Sequence, residues 1–279
     1  MTLDLNENQL NSDPPTKNPP TQNPPTENPP TEDLPTENLP SKQTTEESTN
    51  NPANEQEATE KFKKTKFCQK ETKDQKEAKI RNSPRLFNEM VYFLSDEQKA
   101  WVTKAGFEPL LGFDLEMVPS KLANKVVHVF DHKSVSLRIE HWDIYITPED
   151  VFDVFGLPRG GNKIEQTINE VTTKRSNEWL TQFPTKKITT AKVVEQVKAE
   201  KRVTEMFKIN FLTVLSNVLI RTPTHSYIDK YFVNFEPLDK CVSYNWVDFL
   251  IEYLVTGKES WNGTGSGFFR GSQIFLTLS

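Results

Sequence analysis

Two cysteines in 279 residues, Cys68 and Cys241, are too few for a four-cysteine zinc site or a disulfide framework, and their scarcity is consistent with a reducing compartment. Histidine is almost as scarce, with four. No apolar run is long enough to span a membrane, because the strongest, from Glu205 to Ile220, is broken by Lys208, Asn210 and Asn217. No secretory signal peptide is expected from the polar opening residues. Asn262-Gly263-Thr264, formally a glycosylation acceptor, is therefore not expected to be modified.

From Met1 to Glu60 both aliphatic bulk and positive charge are nearly missing, with 12 acidic residues against 2 basic ones. The only aliphatic side chains there larger than alanine are Met1, Leu3, Leu5, Leu10, Leu34 and Leu39. Such a segment cannot bury enough surface to offset chain entropy, and residues 1–60 read as a disordered acidic arm. Inside the arm a five-residue repeat runs DPPTK from Asp13, NPPTQ from Asn18 and NPPTE from Asn23 and Asn28, then drifts to DLPTE and NLPSK. Paired prolines at this density favour an extended polyproline spacer. The spacing from Pro15 to Pro19 is PxxxP, which argues against a ligand for PxxP-reading domains.

The sign reverses in residues 61–85, which hold 10 basic and 3 acidic residues. Lys61, Lys63, Lys64 and Lys66 are the candidates for nuclear import or phosphate contact, with a solvated helix as the plain alternative. The net charge of −5 means that any nucleic-acid binding would be local to this segment.

Residues 86–279 read as one globular domain. Helices are expected over Arg85 to Leu94 and from Ser95 as N-cap through Trp101, with Gly106 as the stop. Ser120 to Phe130 places Leu122, Val126, Val129 and Phe130 on one expected core face. Val135 to Ile139 and Ile144 to Ile146 alternate as two strands joined over Glu140 to Asp143, a hairpin with Trp142 near its turn. A weak helix around Trp179, one capped by Thr189 or Thr190, a strong core helix from Glu205 to Ile220, and one from Tyr244 to Val255 closed by Gly257 complete the series. The terminal IFLTL stops within an apolar run and reads as a truncation.

The clearest local signal is ITPEDVFDVFGLPRGG, from Ile146 to Gly161. Thr147 reads as N-cap, Pro148 as N1 and Asp150 as the acidic half of a capping box. Val151, Val154 and Phe155 form the apolar face. Gly156 is the left-handed stop, Pro158 prevents resumption, and Gly160-Gly161 read as a flexible exit. Arg159, between Pro158 and Gly160, is the one candidate partner contact in the domain.

Catalytic readings are weak. Cys241 would need activation by His225, the nearest histidine in sequence, whereas a lone buried cysteine behaves as a small hydrophobe. His128 and His132 are spaced i, i+4 with His141 beyond, but Val129 stands where an HExxH motif needs glutamate, and a helix-end interaction with the dipole is the expected role. GTGSG from Gly263 lacks the lysine of a P-loop. No catalytic, cofactor-binding or metal-ligating residue is assigned.

The run ITPEDVFDVFGLPRGG, with the GFEPLLGF loop, the LRI and IYI strands, TPTHSYID and YNWVDFLIEYL, resembles the plant mobile domain, also labelled aminotransferase-like. It is closest to versions upstream of SUMO-type cysteine proteases in transposon-related proteins. The resemblance implies a plant nuclear protein of mobile-element origin linked to gene or transposon silencing. No lysine context supports a pyridoxal phosphate Schiff base. The expectation is a mostly α (α+β) fold, a helical domain with a small antiparallel β-hairpin behind a disordered arm. The expected function is a non-enzymatic nuclear protein-interaction module without cofactor or membrane contact. Two alternatives stand beside it: an N-terminal fragment of a SUMO-protease polyprotein, and a DNA-binding protein using residues 61–85. Localisation is expected to be nuclear, with cytoplasmic as the alternative.

Overall fold

Pro84 needs no hydrogen-bond partner for a missing N–H and opens α1 (Pro84–Tyr92), which buries Phe87, Met90 and Val91. This is the first element of a computed structural model that describes residues 83–223, 225–261 and 268–279. Residues 1–82, and with them Lys61, Lys63, Lys64, Lys66 and Cys68, lie outside the described residues, as does the GTGSG run. All described residues fall within one unit that begins at Cys68.

Ser95 caps α2 (Asp96–Lys104) through a reciprocal capping box with Gln98, and Gly106, at φ +88°, carries the chain out of it. A 3-10 turn over Glu108–Gly112 leads to α3 (Ser120–Val129). The expected core face of α3 holds at Phe130, which is buried, but is displaced by one position before it. Ala123 and Val127 are fully buried, whereas Leu122 is 44% exposed and Val126 and Val129 are only partly covered. The small side chain of Ala123 lets the helix approach its neighbours, and the larger Leu122 is turned outward.

Phe130–Asp131 forms β1, Ser136–Ile139 forms β2 and Trp142–Tyr145 forms β3, an antiparallel sheet in the order β1-β2-β3. The short β1 was not expected. The turn between β2 and β3 is also tighter than the sequence indicated: Ile139 pairs directly with Trp142, which leaves only Glu140 and His141 between the strands. Glu140 meets that constraint at φ 54°.

The motif after the sheet forms α4 (Pro148–Phe155) as expected. The Thr147 hydroxyl accepts from the Asp150 N–H at 3.3 Å, and an Asp150 carboxylate oxygen accepts from the Thr147 N–H at 2.7 Å. Val151 and Phe155 are buried, Phe152 is exposed, and Gly156 sits at φ 60°. Burying the first two contributes about 1.5–3 kcal/mol each.

A longer helix than expected follows, α5 (Glu170–Thr181), capped by Asn169 and Thr172. Its buried face is made by Thr172, Arg175 and Trp179, so hydrophobicity alone under-reports it. Thr189 caps α6 (Thr190–Ala199), and Thr204 caps α7 (Glu205–Leu215), which continues as a π turn over Ser216–Ile220. Nearly every residue of α7 from Phe207 onward is buried, as a helix apolar on all sides requires. Around it pack α1, α6 and the aromatic ring stack in which Phe232 lies 5.1 Å from Trp246 at an interplanar angle of 13°.

Asn245 caps α8 (Trp246–Glu259). Contrary to expectation, Gly257 does not close this helix but lies inside it against the backbone of Gly271, where an added Cβ would come within 2.6 Å of the amide nitrogen. The terminal apolar run forms α9 (Gln273–Leu278), with Ile274, Phe275 and Leu276 buried against α3, α4 and the π turn. The described fold is mostly helical with one small antiparallel sheet. Among the described residues no helix is long and apolar enough to cross a membrane.

Candidate functional site

The sheet register sorts the β2–β3 hairpin into two unlike faces. Leu137 pairs with Ile144 and Ile139 with Trp142, so these four share one face; Arg138 pairs with Asp143 on the other. Leu137 is buried against the domain, but the apolar face continues outward through Ile144, Ile139 and Trp142, which are 52%, 44% and 76% exposed. On the polar face Arg138 binds Asp131 at 2.7 Å and Asp143 at 3.2 Å. The Lys133 N–H and the Arg138 charge hold the Asp131 carboxyl below its ordinary pKa, and Asp143, then Asp131, raise that of Arg138. These exposed pairs stabilise the hairpin only modestly.

β3 is the outer strand. Ile146 donates its N–H to Val135 at 2.8 Å, which makes 135/146, 137/144 and 139/142 the hydrogen-bonded pairs. The N–H and C=O groups of Asp143 and Tyr145 therefore point away from β2, along an open edge. All four β3 residues are exposed. Neither proline nor lysine protects this edge, as natural edge strands commonly arrange.

Arg159 lies just past α4 and turns back to Glu149 at 2.8 Å, and that hydrogen bond holds the Glu149 carboxyl below its usual range. Both side chains are substantially exposed. The Gly160-Gly161 exit is not a flexible one. The Gly160 N–H donates to the Tyr244 carbonyl at 3.0 Å, and an added Cβ would sit 2.1 Å from the carbonyl carbon of Ser243. Glycine is required there for close approach of two backbones.

Cys241 is fully buried, with its thiol donating to the Leu238 carbonyl at 3.1 Å. Burial pushes its pKa up to about 12, away from thiolate chemistry. His225 lines a cleft of about 310 Å³ with Thr189 and Asn217, and Cys241 is not among its walls.

The histidine cluster resolves differently from expectation. His128 packs its ring 4.9 Å from Trp261, and burial followed by the charge of Lys258 lowers its pKa, so it is not the cation at the end of α3. That role belongs to Lys258 on α8, which donates to the carbonyls of Val127 at 2.5 Å and His128 at 3.2 Å and stands 4.8 Å from the Trp261 ring centre. Among the described residues no group of three or more His, Cys, Asp or Glu side chains could hold a metal ion.

Two further polar anchors escaped the sequence reading. Arg175, 3% exposed, pairs with Glu236 and donates to the carbonyls of Phe235 at 2.9 Å and Val233 at 3.3 Å. Trp179 donates its indole N–H to Asn210 at 2.7 Å, and Asn210 donates in turn to Gln182 at 2.9 Å. The i, i+4 spacing of Arg175 and Trp179 on α5 was the one available signal, because it places them on the same face.

No curated protein and no solved structure matches the chain. The family comparison overturns the plant mobile resemblance, since no match to that family is found. The motif that carried the resemblance is a capped helix with a glycine stop, a combination that backbone chemistry produces in unrelated folds. What residues 80–277 match is the family described as a domain of unknown function, DUF8566; the match takes in more than half of the chain, which therefore belongs to that family.

Proposed function

We propose that the domain is a protein-interaction module of the nucleus, acting by binding rather than catalysis. An extended segment of a partner adds to the open edge of β3 and lays its apolar side chains over Ile139, Trp142 and Ile144. The observation that carries this reading is the pairing of that exposed apolar face with outward backbone groups at Asp143 and Tyr145. Strand addition uses both features: main-chain hydrogen bonds supply affinity, and the side-chain face supplies selectivity. Transposon origin and a link to silencing rested on the plant mobile resemblance and lose their support with it.

Nuclear delivery is assigned to Lys61, Lys63, Lys64 and Lys66 within the basic segment. Replacing the four with alanine moves a tagged full-length chain to the cytoplasm; unchanged nuclear retention contradicts that part. For binding, Trp142→Ala with Ile144→Ser abolishes the partner set that proximity labelling recovers with the wild type, while the thermal unfolding midpoint stays within a degree or two. An unaltered partner set contradicts the reading.

A further inference from the structure

A second surface lies along α4. A cleft of about 580 Å³ runs between the 3-10 turn and α4, floored by Leu110, Phe113 and Phe155 and rimmed by Pro109 and Phe152. Through Gly112, Phe113 and Asp114 it joins a second cleft of about 530 Å³ that extends along α1 to Tyr92 and Phe93. The two clefts adjoin at these shared residues and are treated together as one groove. Its floor is apolar, and Phe152 and Tyr92 stand 45% and 80% exposed above it.

Carboxylates outnumber basic residues in the walls of this groove. From Glu108 to Met117 the chain carries Glu108, Asp114 and Glu116 with no basic residue, and α4 carries Glu149, Asp150 and Asp153, of which Glu149 is paired with Arg159. Asp114 and Asp153 line the first cleft, and Glu116 and Glu89 line the second. Glu89 is neutralised by Lys198 at 2.8 Å, and Arg85 is the single basic residue in the walls. No described residue forms an ion pair with Asp114, Glu116 or Asp153, so their charges face solvent uncompensated.

An apolar trough edged by uncompensated carboxylates is complementary to a peptide that carries both a large apolar side chain and flanking positive charge. The apolar side chain gains by leaving water, the carboxylates gain by meeting lysine or arginine, and the face of Tyr92 offers a further cation contact. We propose that this groove binds a basic, amphipathic peptide segment of a partner protein, with its apolar anchor seated between Phe113, Phe152 and Phe155. The inference extends the reading of the domain as a binding module to a second surface and does not depend on the hairpin.

Gly112 provides the means to test it. It sits at the junction of the two clefts, and a Cβ added there meets nothing within 4 Å, so a side chain can start from this position without a clash at its Cβ; an unfolding midpoint equal to that of the wild type checks that Gly112→Trp is folded. The probes are three fluorescent peptides added to the full chain: one with lysines and leucines on opposite helical faces, one with glutamate for lysine, and one with serine for leucine. The expected result is binding of the lysine–leucine peptide alone, weakening as salt is raised. The pair Asp114→Lys and Asp153→Lys weakens it by about tenfold or more through like-charge repulsion. Gly112→Trp blocks it, and Trp142→Ala leaves it unchanged. Equal binding of the acidic peptide, no binding of the basic one, or indifference to both groove variants overturns the proposal. A dimer in sedimentation that Gly112→Trp dissociates also overturns it, since the occupant is then a second copy. A partner set unaltered by Trp142→Ala, while the peptide still binds and Gly112→Trp still blocks it, is failure of the hairpin reading alone; absent peptide binding with Trp142-dependent partners retained is failure of this one alone.

Discussion

Lys258 donates its ammonium to the carbonyl of Val127 at 2.5 Å, so that α8 supplies the cation closing the C-terminal end of α3 across 131 positions of sequence. Cations at that end of a helix satisfy orphan carbonyls and oppose the negative pole of its dipole. The same placement sets two pH dependences.

Burial lowers the pKa of Lys258 from 10.5 to about 8, with Asp131 opposing the shift, and burial together with Lys258 lowers that of His128 below 6.5. Each base binds its proton less tightly when folded than when unfolded. Between the two values the unfolded chain therefore holds more protons, and stability rises with pH. The Lys258 window runs from about 8 to 10.5, and the His128 window ends at 6.5. Urea unfolding midpoints are expected to climb toward the upper end of each window. Lys258→Met removes the alkaline rise and His128→Gln the acidic one. Parallel pH profiles for wild type and both variants contradict the assignment.

Gly156 combines a left-handed backbone with contact against Pro109, where an added Cβ would fall 2.4 Å from the proline ring. Gly156→Val is expected to lose about 1–2 kcal/mol from backbone conformation alone, with the overlap adding to it. Calorimetry should register a drop of several degrees in Tm. An unchanged midpoint would mean that α4 does not end at this residue.

Arg175→Met removes the partner of half-buried Glu236 and frees two backbone carbonyls, a loss of about 1–3 kcal/mol for leaving buried acceptors unsatisfied. Arg175→Lys should recover little of it, because one ammonium cannot reproduce the planar fork that reaches Glu236, Val233 and Phe235 together. Full recovery by lysine in urea titrations would contradict this account of the contact.

The contrast between α4 and α5 explains what could be read in advance. Every determinant of α4 lies within ten residues: Thr147 finds Asp150, and Gly156 ends the helix through its own backbone freedom. Such chemistry is visible in one dimension. The buried face of α5 depends on Arg175 meeting Glu236 and Trp179 meeting Asn210, partners 61 and 31 positions away, so a polar helix looked weak. In α3 the core face was misplaced because Leu122 outranks Ala123 in hydrophobicity, while close packing rewarded the smaller side chain. The hairpin shows the reverse relationship. Its alternation was plain, but the exposure of Ile139, Trp142 and Ile144 depends on how far the strands project beyond Leu137, which no local pattern encodes. The family resemblance failed for a related reason, because it rested most heavily on a motif whose residues helix capping by itself accounts for.

Residue-resolved amide hydrogen exchange on the full chain, free and in complex with its recovered partner, addresses strand addition most directly. In the free protein the Asp143 and Tyr145 amides should exchange rapidly, and those of Trp142 and Ile144, bonded to β2, slowly. In the complex, Asp143 and Tyr145 should become protected as their N–H groups pair with an added strand. If both amides keep exchanging at the free rate while the complex stays intact, the open edge of β3 is not where the partner binds.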